Sequence, residues 1–186
     1  MTPSPLVRAA AIGAPVLLFL YGSLRLLDGA DGHHDKGGPL WNAGHALFFV
    51  AFLLLGALTV GVRRLVPVRT FGQRWLANVA TAFGVFGAAC FLVVITGDLS
   101  PAFADAFPLP GPLELAGPAL FQLGVLTLLV LLVRAGRLPV WSPALVFAGF
   151  VAIAVNLDFI PLAAVLLLGG LAPLNPRQPA GVRRTT

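Results

Sequence analysis

The sequence predicts an all-α fold, a polytopic transmembrane helical bundle, and three observations carry that prediction. First, 58% of the 186 residues are hydrophobic and 10% are charged, whereas a soluble domain carries about a quarter charged residues to keep its surface hydrated. The mean hydropathy of +0.94 agrees. Second, the apolar residues are gathered into runs close to the ~20 residues that a helix needs to cross ~30 Å of hydrocarbon. Third, the basic residues fall in clusters between those runs, as in membrane loops. The runs do not alternate apolar and polar residues, which argues against a membrane β-barrel. The length fits one domain.

Taken in order, the spans are about 9–27, 40–62, 75–96 and 115–133, followed by a longer apolar stretch, 138–174. Arg25 stands near the far end of the first. That span lacks a clean small-x-small site after Leu20, which argues against a cleaved signal peptide. The last stretch is interrupted by Asn156, Asp158 and Pro161, which a bilayer centre would penalise. A turn at 156–158 moves them to an interface and leaves two short spans, 138–155 and 159–174. At about 18 and 16 residues these need local thinning of the bilayer. Six spans are expected, with five as the alternative: a transmembrane domain over 1–176 and a basic cytoplasmic tail over 177–186. The segment 100–112, with its prolines, is expected to be irregular.

Loop charge supplies an independent argument. With six spans, Arg8, Arg63, Arg64, Arg69, Arg74, Arg134, Arg137, Arg177, Arg183 and Arg184 share one side, and only Arg25 and Lys36 take the other. The rule that positive loops stay inside then puts both termini in the cytoplasm. All seven acidic residues lie on the outer side. Trp41, Trp75 and Trp141 each open a segment, where an amphipathic ring suits the interface.

The pI of about 11.1 would suggest nucleic acid in a soluble protein, but orientation accounts for these arginines and no nucleic-acid partner is expected. Cys90, the single cysteine, lies in an apolar run and reads as a buried thiol. Motifs for nucleotide binding (a P-loop, GxGxxG) and for hydrolysis (GxSxG, HExxH) are absent from the sequence. Haem between spans would call for paired intramembrane histidines, and only His45 lies in a span. No cofactor is expected.

Two polar groupings stand out. The first outer loop contains Asp31, His33, His34 and Asp35, residue types that ligate zinc or copper, although their spacing matches no zinc or calcium pattern and a solvated loop whose glycines set turns is the favoured reading. Within the second span His45 follows Asn42 by three residues, on one face. Gln122 is expected at a comparable depth, with Asn156 and Asp158 at the last turn on the same side. Because polar side chains in spans turn inward, these five predict an outer-facing polar pocket, with ordinary interhelical hydrogen bonding as the alternative. Ala80, Gly84 and Ala88 form a small-residue stripe for close helix approach, within the bundle or in a homo-oligomer.

Asp35-Lys36 and the stretch Gly44-His45-Ala46-Leu47-Phe48-Phe49 resemble VanZ-like membrane proteins, in which an Asp-Lys pair precedes a histidine that opens an apolar span. The chain departs from that pattern in its longer insertion before His45. An acidic-x-x-Gln element is also missing from 75–96. The Ala/Leu/Val/Gly/Arg-rich composition is similar to small multi-pass membrane proteins of high-GC bacteria, which implies a plasma-membrane location and no particular activity. The expected role is structural or accessory within a membrane assembly, without enzymatic activity, in contact with the lipid bilayer and with a membrane-protein partner or further copies of itself. The alternatives are a small transporter or channel using the pocket, and extracytoplasmic metal binding by the His/Asp loop.

Overall fold

The computed structural model describes residues 2–33 and 36–175. The tail over 177–186, and His34 and Asp35 of the outer loop, lie outside the described residues. Every regular element among those described is helical: α1 (Pro5–Asp28), α2 (Pro39–Leu65), α3 (Phe71–Leu99), α4 (Pro101–Ala106), α5 (Gly111–Arg134), α6 (Trp141–Val155) and α7 (Ile160–Leu171), with 3-10 turns at Leu157–Phe159 and Ala172–Leu174.

Local chemistry explains the helix ends. The Ser4 hydroxyl accepts the Val7 N–H at 3.3 Å, and Pro5 follows with its φ already set for a first turn. Thr70 caps α3 by accepting the Gln73 N–H at 3.2 Å, while the Gln73 carboxamide accepts the Arg69 N–H at 2.9 Å. This reciprocal arrangement is close to a capping box. Arginines occupy the last turns of α1, α2 and α5, where they complement the negative end of the helix dipole.

Five helical segments are long and apolar enough to cross a membrane: α1, α2, α3, α5 and Leu157–Leu174. The 15 residues of α6 are fewer, reaching only about 22 Å at 1.5 Å per residue. The break expected at 156–158 is present, for α6 ends at Val155 and Asn156 begins the 3-10 turn. α6 and α7 then run antiparallel, with Ser142 against Gly170 and Gly149 against Ala163 and Leu167. The segment 100–112 is not wholly irregular, as α4 occupies its first half. Ser100 accepts the Phe103 N–H and Pro101 takes the first position, helix-start signals that outweighed the proline content.

Around the bundle α6 packs on α7, α7 on α1, α1 on α2, α2 on α3 and α3 on α5. The small-residue stripe works inside the molecule. A Cβ on Gly124 would strike the Ala80 carbonyl and the backbone of Gly84, and one on Gly87 would strike the backbone of Gly117 and Phe121. α3 and α5 therefore meet backbone to backbone. Nearer the other helices, an aromatic layer fills the centre: Phe52 lies 4.0 Å from Phe91 and 5.5 Å from Phe121, which lies 5.5 Å from Phe150.

Antiparallel packing sorts the charges. One end, here the acidic end, gathers Asp28, Asp31, Asp98, Asp105, Glu114 and Asp158 with Arg25 and Lys36. The opposite, basic end carries Arg8, Arg63, Arg64, Arg69, Arg74, Arg134 and Arg137.

Candidate functional site at the acidic end

Tyr21, Arg25 and Asp28 are spaced by four and three on α1, so they form one stripe along its last turns. Trp41 and His45, four apart, do the same at the start of α2. These two stripes meet the C-terminal end of α3 and the turn between α6 and α7.

His45 is buried, 4% exposed. Its Nδ1 lies 2.8 Å from the Trp41 carbonyl oxygen. A carbonyl can only accept, so Nδ1 carries the proton. Nε2 faces Asp98 Oδ2 at 3.6 Å, an ion-pair separation longer than a hydrogen bond. The ring thus stands between two acceptors, and it attracts the Asp98 carboxylate only when Nε2 is protonated as well. Asp98 is held from a second side, because the Trp41 indole N–H donates to its main-chain carbonyl at 3.1 Å. The Trp41 ring leans on the imidazole at 4.1 Å, and the Lys36 ammonium lies 5.9 Å from the Trp41 ring centre, within cation–π range.

Tyr21 joins this group to a second pair. Its ring meets His45 edge-on at 5.3 Å and stacks on Phe48 at 4.2 Å, while its hydroxyl faces the Arg25 guanidinium. Arg25 Nε lies 3.5 Å from Asp158 Oδ1. Asp158 is set in place by Asn156, whose side-chain oxygen accepts the Asp158 N–H at 2.9 Å. The constellation therefore ties α1, α2, α3 and the turn between α6 and α7 together through the Arg25–Asp158 ion pair and the His45–Asp98 contact, bridged by aromatic rings. Beside it a cleft of about 500 Å³, lined in part by Asp98, Asp105, Glu114 and Lys36, opens between α3, α4 and the start of α5.

Of the five residues expected to line one pocket, His45 and Asp158 enter the constellation and Asn156 positions Asp158. Asn42 turns to the loop, donating to the Gly37 carbonyl at 2.9 Å. Gln122 does not share the depth of His45. Gly84 is the level at which Thr59 of α2 and Gly124 of α5 meet, which sets Gln122 roughly 18 Å below His45 at 1.5 Å per residue. α5 starts at Gly111, a full turn before the apolar run suggests, which accounts for about 6 Å of that offset at 1.5 Å per residue. In the outer loop, the Asp31 carboxylate accepts the His33 N–H at 3.1 Å, forming a local turn. Among the described residues no group of three or more His, Cys, Asp or Glu gathers as a metal site.

Sequence reasoning missed Asp98, Tyr21 and Trp41 as parts of this site. Trp41 in particular is 8% exposed, whereas Trp75 and Trp141 are 60% and 50% exposed. Only the latter two present their rings outward. A usable signal was present: Asp98 ends the third apolar run on the side where His45 begins the second, and an antiparallel pair of helices puts those two ends together.

The fold and this site define a helical membrane protein with an interhelical ionic cluster at one end. Comparison with protein-family models, curated proteins and solved structures yields no match.

Proposed function

We propose that this chain is a non-catalytic, accessory component of a plasma-membrane assembly, crossing the bilayer six times with both termini in the cytoplasm. One observation carries the accessory reading. Arg25 pairs with Asp158 and His45 faces Asp98, each between helices, and the Phe52, Phe91, Phe121 and Phe150 layer fills the centre beneath them. A solute path from His45 inward would have to part that layer. Charged groups used in this way fix helix positions, and the cluster is the natural place for a partner's extracytoplasmic surface to act on several helices at once. The plasma-membrane location rests on the similarity in composition to multi-pass proteins of high-GC bacteria.

The test is isolation of the full chain from its own membrane in native-lipid particles, with mass measurement of the intact particle. A second membrane protein at fixed stoichiometry, lost when Asp98 and Asp158 are replaced by Asn, is the expected result. Reconstituted vesicles that show a solute or proton flux abolished by His45→Ala would instead establish the transporter reading, which the His45–Asp98 pair favours. Turnover of a substrate by the purified chain would overturn both.

A further inference from the structure

At the basic end, opposite the cluster just described, the loops after α2 and α5 face each other across a cleft of about 660 Å³. Arg69, Arg134, Arg137 and Gln73 line its polar part, and Leu76 and Leu131 its apolar part. The backbone builds this cleft. α5 closes with a Schellman turn, in which the Gly136 N–H donates to Val133 and the Arg137 N–H to Leu132, both at 2.9 Å. Gly136 takes the left-handed conformation that this turn requires, with φ +68°. The turn aims Arg137 across the cleft, where its guanidinium donates to the Leu65 carbonyl at 2.6 Å and fastens the two loops.

Three arginines thus line one cleft, and every acidic side chain among the described residues lies at the acidic end. Arg134 offsets the negative end of α5 and Arg137 that of α2, and an anion in the cleft would add a full counter-charge for all three. The first turn of α3, which contains no acid and contributes Gly72 to the lining, adds the positive end of its dipole. The apolar part of the cleft and the outward-facing Trp75 and Trp141 mark the depth at which lipid headgroups sit.

We infer that this cleft binds the phosphate of an anionic phospholipid, with Arg69, Arg134 and Arg137 holding the headgroup and Leu76 and Leu131 flanking the first carbons of an acyl chain. Arg137 also holds the loops, so the test leaves it intact. Full-length protein in a non-ionic detergent is titrated with phosphatidylglycerol, with phosphatidylcholine and with inorganic phosphate, and bound species are counted by native mass spectrometry. Phosphatidylglycerol should bind in preference to phosphatidylcholine. R69Q/R134Q should weaken it about 25-fold, fivefold per arginine, the factor matching ~1 kcal/mol per basic residue near a membrane surface. R8Q/R64Q, which removes equal charge from the same end but outside the cleft, should leave binding within twofold. Equal losses in both double variants would mean diffuse surface attraction and would overturn the site. Inorganic phosphate that displaces the lipid at millimolar concentration would show that the cleft recognises a free anion, which overturns the lipid assignment. R134E repeats the test with one exposed substitution and should abolish the preference. Its retention would also overturn the site.

Discussion

At the residue scale, His45 shows how a single side chain can be over-determined. Its Nδ1 is bound to the helix backbone, its faces are covered by Trp41 and Tyr21, and its Nε2 looks at Asp98. His45→Ala removes the ring from a buried site and should lower stability by about 2 kcal/mol, as large-to-small core changes do. Asp98→Asn keeps the main-chain carbonyl that Trp41 bonds and loses only the charge. Because that carboxylate is partly exposed, its loss should cost under about 1 kcal/mol. Unfolding in mixed micelles, followed by Trp fluorescence, measures both. If Asp98→Asn proved as damaging as His45→Ala, the ionic contact would outweigh the ring's packing. Asn156→Ala should cost about 1 kcal/mol through the lost cap of the 3-10 turn, read in the same assay.

At the element scale, glycine positions divide sharply by what a methyl group would meet. Gly124→Ala places a Cβ into the α3 backbone, and neither partner is a flexible side chain that can move aside. The two helices must separate, costing about 1–3 kcal/mol as overpacking does. Gly72→Ala, in the first turn of α3 where nothing lies within reach of the added carbon, should be neutral or stabilising by about 0.5 kcal/mol, since alanine restricts the unfolded chain. Thermal midpoints of the two variants in the same detergent provide the comparison. Similar midpoints would show that α3 and α5 do not depend on their backbone approach.

At the scale of the whole molecule, charge segregation sets orientation. The arginine-rich loops resist translocation, so the basic end should stay in the cytoplasm and the acidic end outside. With Cys90 replaced by Ala, a cysteine introduced at Leu157 should react with an impermeant thiol reagent added to intact cells. A cysteine at Gly136 should react only after permeabilisation. The reverse pattern would invert the molecule, and labelling of both from one side would show that α6 does not cross, leaving five spans with Leu157–Leu174 as the last.

Much of the architecture was legible in the residues alone. Apolar run length and low charge determined an all-helical membrane bundle, because a lipid-exposed backbone must satisfy its own hydrogen bonds, and the helix does so within one segment. Asn156, Asp158 and Pro161 marked the break between α6 and α7 because a bilayer centre penalises such residues and an interface does not. Helix starts inside polar stretches were less visible, so α4 and the early start of α5 emerged only in the structure, and with them the true depth of Gln122. What the tertiary structure decided was pairing: that Asp98 meets His45, that Arg25 reaches Asp158, that Trp41 turns inward, and that Arg69, Arg134 and Arg137 share one cleft. Those contacts join residues far apart in the chain, and which of them form depends on how neighbouring helices rotate and slide against one another. That register is set by the interlocked glycines of α3 and α5 and by the aromatic layer, packing relations between segments that no run of residues expresses on its own.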